Sequence, residues 1–267
     1  MKIQFDLIPV YLIFLAMLAG CSTGESEKEN VEDLNPPSSG FNESGSDPQA
    51  IEIADKVMLA MGGRKNWDNT HYLCWNFFGR RYLVWDKWTG DVRIESYPDS
   101  IQYILNINTM KGRARVKGVE ITDTDSLNNL LERGKRIWIN DSYWLVMPYK
   151  LKDSGVTLKY LREEMTQDGD LSDVLQLTFE DVGVTPQNKY EVWVDKESSM
   201  VRQWAYYAYD TLQEPGFIVP WKDWQAKGQI MLSGNRGDNK LSDIMVLEKC
   251  PENTFSSFDP INLEQVN

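Results

Sequence analysis

Histidine is almost missing from this chain: His71 is the only one in 267 residues, and cysteine occurs three times, at Cys21, Cys74 and Cys250. A His/Cys zinc site therefore lacks ligands, and a histidine-dependent triad has a single residue to draw on. Bases are scarce beside acids, 28 Lys plus Arg against 40 Asp plus Glu, which gives a net charge of −12. That balance argues against polyanionic partners such as nucleic acid and against charge-driven adhesion to anionic lipid. The Gly-x-Ser-x-Gly, P-loop and His-Glu-x-x-His patterns are absent. Carboxylate pairs can perform acid–base chemistry without histidine, but 40 acids place pairs together by chance. The reading is non-enzymatic, with neither cofactor nor metal. What is present is a globular composition, 42% hydrophobic with ten tryptophans, long enough for one large domain.

Residues 1–20 combine Lys2, an apolar run from Leu7 to Leu18 interrupted by Pro9, and the small residues Ala19 and Gly20. The run is shorter than the roughly 20 residues a spanning helix needs, so it reads as a secretory signal peptide. The tetrad Leu18-Ala19-Gly20-Cys21 resembles the lipobox of bacterial lipoproteins. That resemblance implies a diacylglycerol thioether on Cys21, cleavage before it, and acylation of the new amine by a chain such as palmitate. Residues 21–46 follow as the acylated cysteine and a flexible acidic linker, with seven acids and one lysine between residues 22 and 47. Ser22 is not the inner-membrane retention aspartate, which implies an outer-membrane lipid anchor. The acidic stretch from Glu25 to Glu29 leaves the periplasmic face and the cell surface both open.

Residues 47–267 read as a single domain, mainly β with two or more helices. Asp47 or Ser46 caps a helix whose first residue is Pro48 and whose end is marked by Gly62-Gly63. A second begins after the Asp123–Ser126 cluster, with Leu127, Leu130, Leu131, Gly134, Ile137 and Trp138 on one face. Elsewhere the period is two, as in Leu73-Trp75-Phe77, Val92-Ile94, Leu175-Leu177-Phe179 and Tyr190-Val192-Val194. Tight turns between these runs imply antiparallel pairing, and the one-sided apolar alternation demands a second layer or strong curvature.

The helix ending at Met61-Gly62-Gly63, Trp67, the aromatic first strand and the later strands behind a lipobox resemble the LolA/LolB-like lipoprotein-carrier superfamily. The segments Asn140–Pro148 and Val182–Pro186 resemble an uncharacterised Bacteroidota branch of lipoproteins. The resemblance implies an unclosed half-barrel, a strongly curved antiparallel sheet plugged by helices, with an apolar cavity for acyl chains. The expected cavity wall is Leu73, Trp75, Phe77, Val92, Ile94, Leu177, Tyr190 and Val192 from the strands, with Val57, Met58 and Trp138 from the helices. The same residues also suit an ordinary core.

Other features carry weaker readings. Trp85-Asp86-Lys87-Trp88-Thr89-Gly90-Asp91 suits either a hairpin tip or tryptophan platforms for a sugar, which makes a surface glycan-binding lipoprotein the alternative function and a structural envelope component the third. Arg236-Gly237-Asp238 spells an adhesion tripeptide among turn residues. Cys74 and Cys250 form an even pair for an oxidising compartment, either bridged or as separate thiols. The expected partners are the membrane, through the anchor, and a hydrophobic or acylated ligand. The protein partner, if any, is unspecified.

Overall fold

The computed structural model describes residues 34–180 and 185–263. Cys21, the signal segment and residues 22–33 lie outside them, as do residues 181–184 and 264–267. Among the described residues are three α-helices and fourteen strands. Helix α1 is Pro48–Ala60, α2 is Arg64–Asn69 and α3 is Thr124–Val146, followed by a 3-10 turn over Met147–Lys150.

Strands β1 (Tyr72–Phe77), β2 (Arg81–Asp86), β3 (Asp91–Ser96), β4 (Ile101–Asn106), β5 (Gly112–Val116) and β6 (Val119–Glu120) form an antiparallel meander. The three-stranded end β12 (Lys222–Lys227), β13 (Ile230–Arg236) and β14 (Asn239–Leu247) joins it through β14 and β1, giving a nine-stranded sheet. Strands β7 (Val156–Met165), β8 (Leu171–Phe179), β9 (Lys189–Asp195), β10 (Val201–Tyr207) and β11 (Phe217–Pro220) make a second sheet of five. The half-barrel expected as one sheet is thus divided in two. The chain passes between them at Trp221, which is fully buried and whose N–H donates to the Arg202 carbonyl at 2.6 Å. Both sheets are curved and unclosed. Register shifts in β1, β7 and β10 mark bulges, which bend the strands that carry them.

Helix α1 forms where expected, but its cap differs. The Asp47 side chain makes no bond to the first turn; it reaches β7, with Oδ1 3.0 Å from Lys159 Nζ and Oδ2 accepting from the Tyr160 N–H at 3.0 Å. At the other end Gly62 has φ +107°, and a Cβ there would meet the Gln229 carbonyl oxygen at 2.4 Å, so only glycine fits. Asp123 does cap α3, accepting from the Ser126 N–H at 2.9 Å. Gly134 brings α3 against β4, with Tyr103 3.1 Å from where its Cβ would stand.

Composition placed residues up to 46 in the tether, and from Asn35 onward that boundary is corrected. Asn35 is buried, donating to Asp55 Oδ1 at 2.7 Å, while Lys152 Nζ bonds both the Asn35 carbonyl and the same Asp55 oxygen at 2.7 Å. The chain then runs beside β7: the Ser38, Asn42 and Asp47 N–H groups donate to the Lys152, Val156 and Leu158 carbonyls, and the Gly155 N–H donates to the Gly40 carbonyl. A sheet edge that would present bare peptide groups is covered by a segment whose Ser, Gly and Asn content looks like linker.

Candidate ligand cavity

Most of the concave side is filled. Helix α1, packed against β7 and the 3-10 turn, and α3, packed against β4, β5 and β13, share with both sheets one continuous apolar core that contains Val57, Met58, Leu73, Trp75, Phe77, Val92, Ile94, Leu177 and Val192. All nine are buried, and none of them lines the cavity described next. The hollow that remains lies between the second half of α3 and the five-stranded sheet, with a volume of about 640 Å³, within the range of small-molecule sites. Trp138 and Tyr190 do line it.

Eight aromatic residues form its walls. Trp138, Tyr143 and Trp144 come from α3; Phe179, Tyr190, Trp204, Tyr206 and Phe217 come one or two at a time from β8 to β11. The rings brace each other. Tyr190 stacks on Trp204 with centroids 5.1 Å apart at 10°, and Tyr143 lies 5.4 Å from Tyr190. Trp144 meets Trp204 edge-on at 5.0 Å and Phe217 nearly parallel at 5.3 Å. Such contacts hold large apolar surfaces at fixed angles. Burial pushes the Tyr143 phenol well above its usual range, and its hydroxyl has no partner among the described residues, as is true of Trp138 Nε1 and Trp204 Nε1.

Polar groups gather where the cavity meets solvent. Lys150 pairs with Asp153, and Asn140, Ser154 and Thr185 are exposed beside them. Asn188 donates to Thr185 Oγ1 at 2.6 Å. Among the described residues the charged lining is this one cation and one anion, and the rest of the wall is mainly aromatic. Among the described residues the lining offers no nucleophile hydrogen-bonded to a base, and groups of three or more potential metal ligands are absent among them too.

Helix α3 is pinned over the cavity by two arginines. Arg81 on β2 makes a two-pronged contact with the fully buried Asp141, 2.6 Å from Nε and 2.9 Å from Nη2. Burial raises the Asp141 carboxyl pKa, and the guanidinium opposes that rise. Arg236 on β13 donates to the Trp144 carbonyl. Below α3, Tyr149 stacks on Trp67 at 4.3 Å, and its hydroxyl lies 2.9 Å and 2.7 Å from the Met61 and Met231 carbonyls.

Elsewhere the weaker readings are resolved by placement. Trp85 is buried, and Trp88 alone of that segment is an exposed ring, its Nε1 donating to the Asp68 carbonyl at 3.0 Å and one face stacked on His71. Asp86 accepts from the Trp88 and Thr89 N–H groups, the chemistry of a hairpin tip. His71 Nε2 sits 3.2 Å from Asp86 Oδ1. Arg236 is buried, so the Arg-Gly-Asp tripeptide is not displayed. Trp144 belongs to α3. Cys74, buried, and Cys250, half-buried, stand in this structure as unbridged thiols. A larger, more polar groove of about 1110 Å³ runs on the outer face of the nine-stranded sheet, between β12–β14 and the carboxyl-terminal segment.

No protein-family model matches this chain, and no curated protein matches it. Among solved structures it is similar to a DUF1329 family protein from Desulfovibrio piger, at 12% identity and TM-score 0.43, covering 83% of this chain and 100% of that one. It is also similar to a LolA superfamily protein from Nitrosomonas europaea, at 12% identity and TM-score 0.30, covering 78% and 97%. A third similar structure is MucB in complex with MucA(peri), at 12% identity and TM-score 0.23, covering 76% and 66%.

Proposed function

We propose that this protein is a lipid-anchored lipoprotein of the bacterial outer membrane, of the Bacteroidota type its motifs resemble. In this reading it holds a hydrophobic or amphiphilic molecule, such as an acyl chain, between α3 and the five-stranded sheet, without catalysing a reaction. The observation that carries it is the aromatic cavity of about 640 Å³, its walls built from eight rings and its charged pair, Lys150 and Asp153, at the rim. An apolar body gains about 25 cal/mol per Å² of surface removed from water, and a polar head can stay hydrated beside Lys150, Asp153 and Thr185. The anchor rests on Leu18-Ala19-Gly20-Cys21. Several acyl chains on one cysteine hold far more firmly than one, at about 0.8 kcal/mol per buried methylene.

The test is native mass spectrometry of the protein prepared without detergent, together with titration by a fluorescent fatty acid. A co-purified lipid or saturable one-to-one probe binding is expected. An empty protein that also fails to bind the probe overturns the ligand reading. For the anchor, Cys21→Ala is expected to move the protein from the membrane to the soluble envelope fraction, and unchanged fractionation overturns it.

A further inference from the structure

The carboxyl-terminal segment, residues 250–263, crosses the outer face of the nine-stranded sheet and is held in an unusual way. Nearly every strong polar tie is made to its main-chain carbonyls. Arg93, itself buried, donates to the Thr254, Ser257 and Asp259 carbonyls at 3.2, 2.6 and 2.8 Å. Arg113 donates to the Ser256 carbonyl at 2.6 Å and Arg115 to that of Phe258 at 3.0 Å. Beneath the segment lies a small apolar cluster separate from the main core. It contains Cys74 from β1, Val84 from β2 and Leu247 from β14, with Cys250, Ile261 and Leu263 from the segment packed onto it. Two cysteines distant in sequence thus share one apolar cluster where the segment leaves β14, Cys74 within it and Cys250 packed against it.

We propose that Cys74 and Cys250 form a disulfide that clasps the carboxyl-terminal segment to β1. Cys250 is partly exposed and Cys74 fully buried, which orders the chemistry. The Cys250 thiolate attacks one sulfur of an external disulfide, forming a mixed disulfide and expelling one thiolate. Cys74 gives up its proton and attacks the Cys250 sulfur, closing the bridge and expelling the second thiolate. Two cysteine thiols are oxidised by two electrons, and one external disulfide is reduced to two thiols. Hydrogen bonding to Cys250 and burial both hold the Cys74 pKa well above the usual thiol range, so closure quickens as pH rises. The segment supplies Phe258, Pro260, Ile261 and Leu263 to the outer groove of about 1110 Å³, so the bridge fixes one wall of that groove. The inference is independent of the ligand cavity.

The test uses the full chain, prepared without reductant, alkylated and digested. A cross-linked peptide pair containing Cys74 and Cys250, lost on reduction, is expected in the protein as purified or after exposure to oxidised glutathione at pH 8. Cys74 and Cys250 alkylated separately under both conditions overturns the bridge. For the clasp, dithiothreitol and the Cys250→Ser substitution are each expected to raise the rate of protease cleavage within residues 250–263 at least tenfold. Unchanged cleavage in both overturns the clasp even if the bond forms.

Discussion

Arg236 Nη2 lies 2.7 Å from the main-chain oxygen of Trp144, so a residue in β13 of the nine-stranded sheet supports the helix that roofs a cavity in the other sheet. The same guanidinium lies 3.4 Å from the centre of the Trp221 ring, at the point where the chain passes between sheets. Nη1 donates to Ser233 Oγ and the Asn235 carbonyl and Nη2 also reaches the Ser233 carbonyl, while Nε has no partner among the described residues. Burial lowers the arginine pKa well below its usual range, and these acceptors and the ring face are what hold the charge in place. Arg81 performs the matching task at Asp141, three residues earlier on α3. The roof is fastened to the rigid sheet on one side and rests on aromatic rings on the other, an arrangement that leaves the cavity open without leaving its walls loose.

Removing Arg236 therefore tests the whole junction. Arg236→Ala leaves the Trp144 carbonyl unpaired in the interior and a void over Trp221. A loss of about 2–4 kcal/mol is expected, read as a lower urea midpoint for tryptophan emission. Arg236→Lys keeps the charge but not the planar fork, and is expected to lie between wild type and alanine. A wild-type midpoint for Arg236→Ala contradicts the assignment.

Two residues on one face of β8 separate cavity from core. Leu177 is fully buried in the continuous core, whereas Phe179 lies on the cavity wall, 5.8 Å from the Tyr190 ring. Leu177→Ala is expected to cost about 2–5 kcal/mol of stability while the folded fraction binds a fatty-acid probe normally. Phe179→Ala is expected to weaken probe binding by roughly tenfold, about 1.4 kcal/mol, with a smaller loss of stability. Equal effects of the two substitutions on affinity exclude this cavity as the site.

Asp47 gives a pH signature with a definite sign. The hydrogen bonds from Lys159 and from the Tyr160 N–H hold its carboxyl pKa below the ordinary aspartate range in the folded protein. Its contribution is then fully present above the unfolded pKa of about 3.9 and is lost as pH falls through the depressed folded value. The stability gap between wild type and Asp47→Asn is expected to be constant from pH 5 to 8 and to shrink toward zero below pH 3. Urea titrations at several pH values measure it, and a gap that widens in acid has the wrong sign for this linkage.

The alternation of Leu73, Trp75 and Phe77 showed a buried strand face, and the stripe from Leu127 to Trp138 showed a helix. Neither told core from cavity. On β8 and β9 alone, Leu177 and Val192 fill the interior while Phe179 and Tyr190 edge the hollow, although all four belong to apolar positions of strands. What separates them is how far along each strand the helix above it reaches, a tertiary quantity. The second half of α3 was missed for a chemical reason. Where the stripe should continue, the chain has Asp141 and Ser142, both buried, and the aspartate is tolerable there because the distant Arg81, with a further hydrogen bond from Asn140, compensates its charge. A helical pattern carried through Asn140–Pro148 despite those two polar residues would have brought Tyr143 and Trp144 to the site. Ser, Gly and Asn between residues 38 and 46 looked like tether because their partners are peptide groups of β7, which leave no mark in side-chain composition.

That segment supports the last prediction, which compares two truncations. Removing residues 1–33 leaves Asn35, the Asp55–Lys152 pair and the β7 edge contacts intact, and a folded monomer with full stability is expected. Removing residues 1–46 strips Asn35 from the buried Asp55–Lys152 pair, whose side chains are 2% and 7% exposed, and uncovers the backbone from Lys152 to Leu158, which leads into and begins β7. A buried ion pair missing one of its acceptors is costly, and a bare edge strand pairs with other chains. The shorter form is expected to lose about 2–4 kcal/mol of stability and to self-associate at micromolar concentration by light scattering. If both truncations behave alike, residues 35–46 are a tether after all. If only the shorter one fails, the domain begins at Asn35.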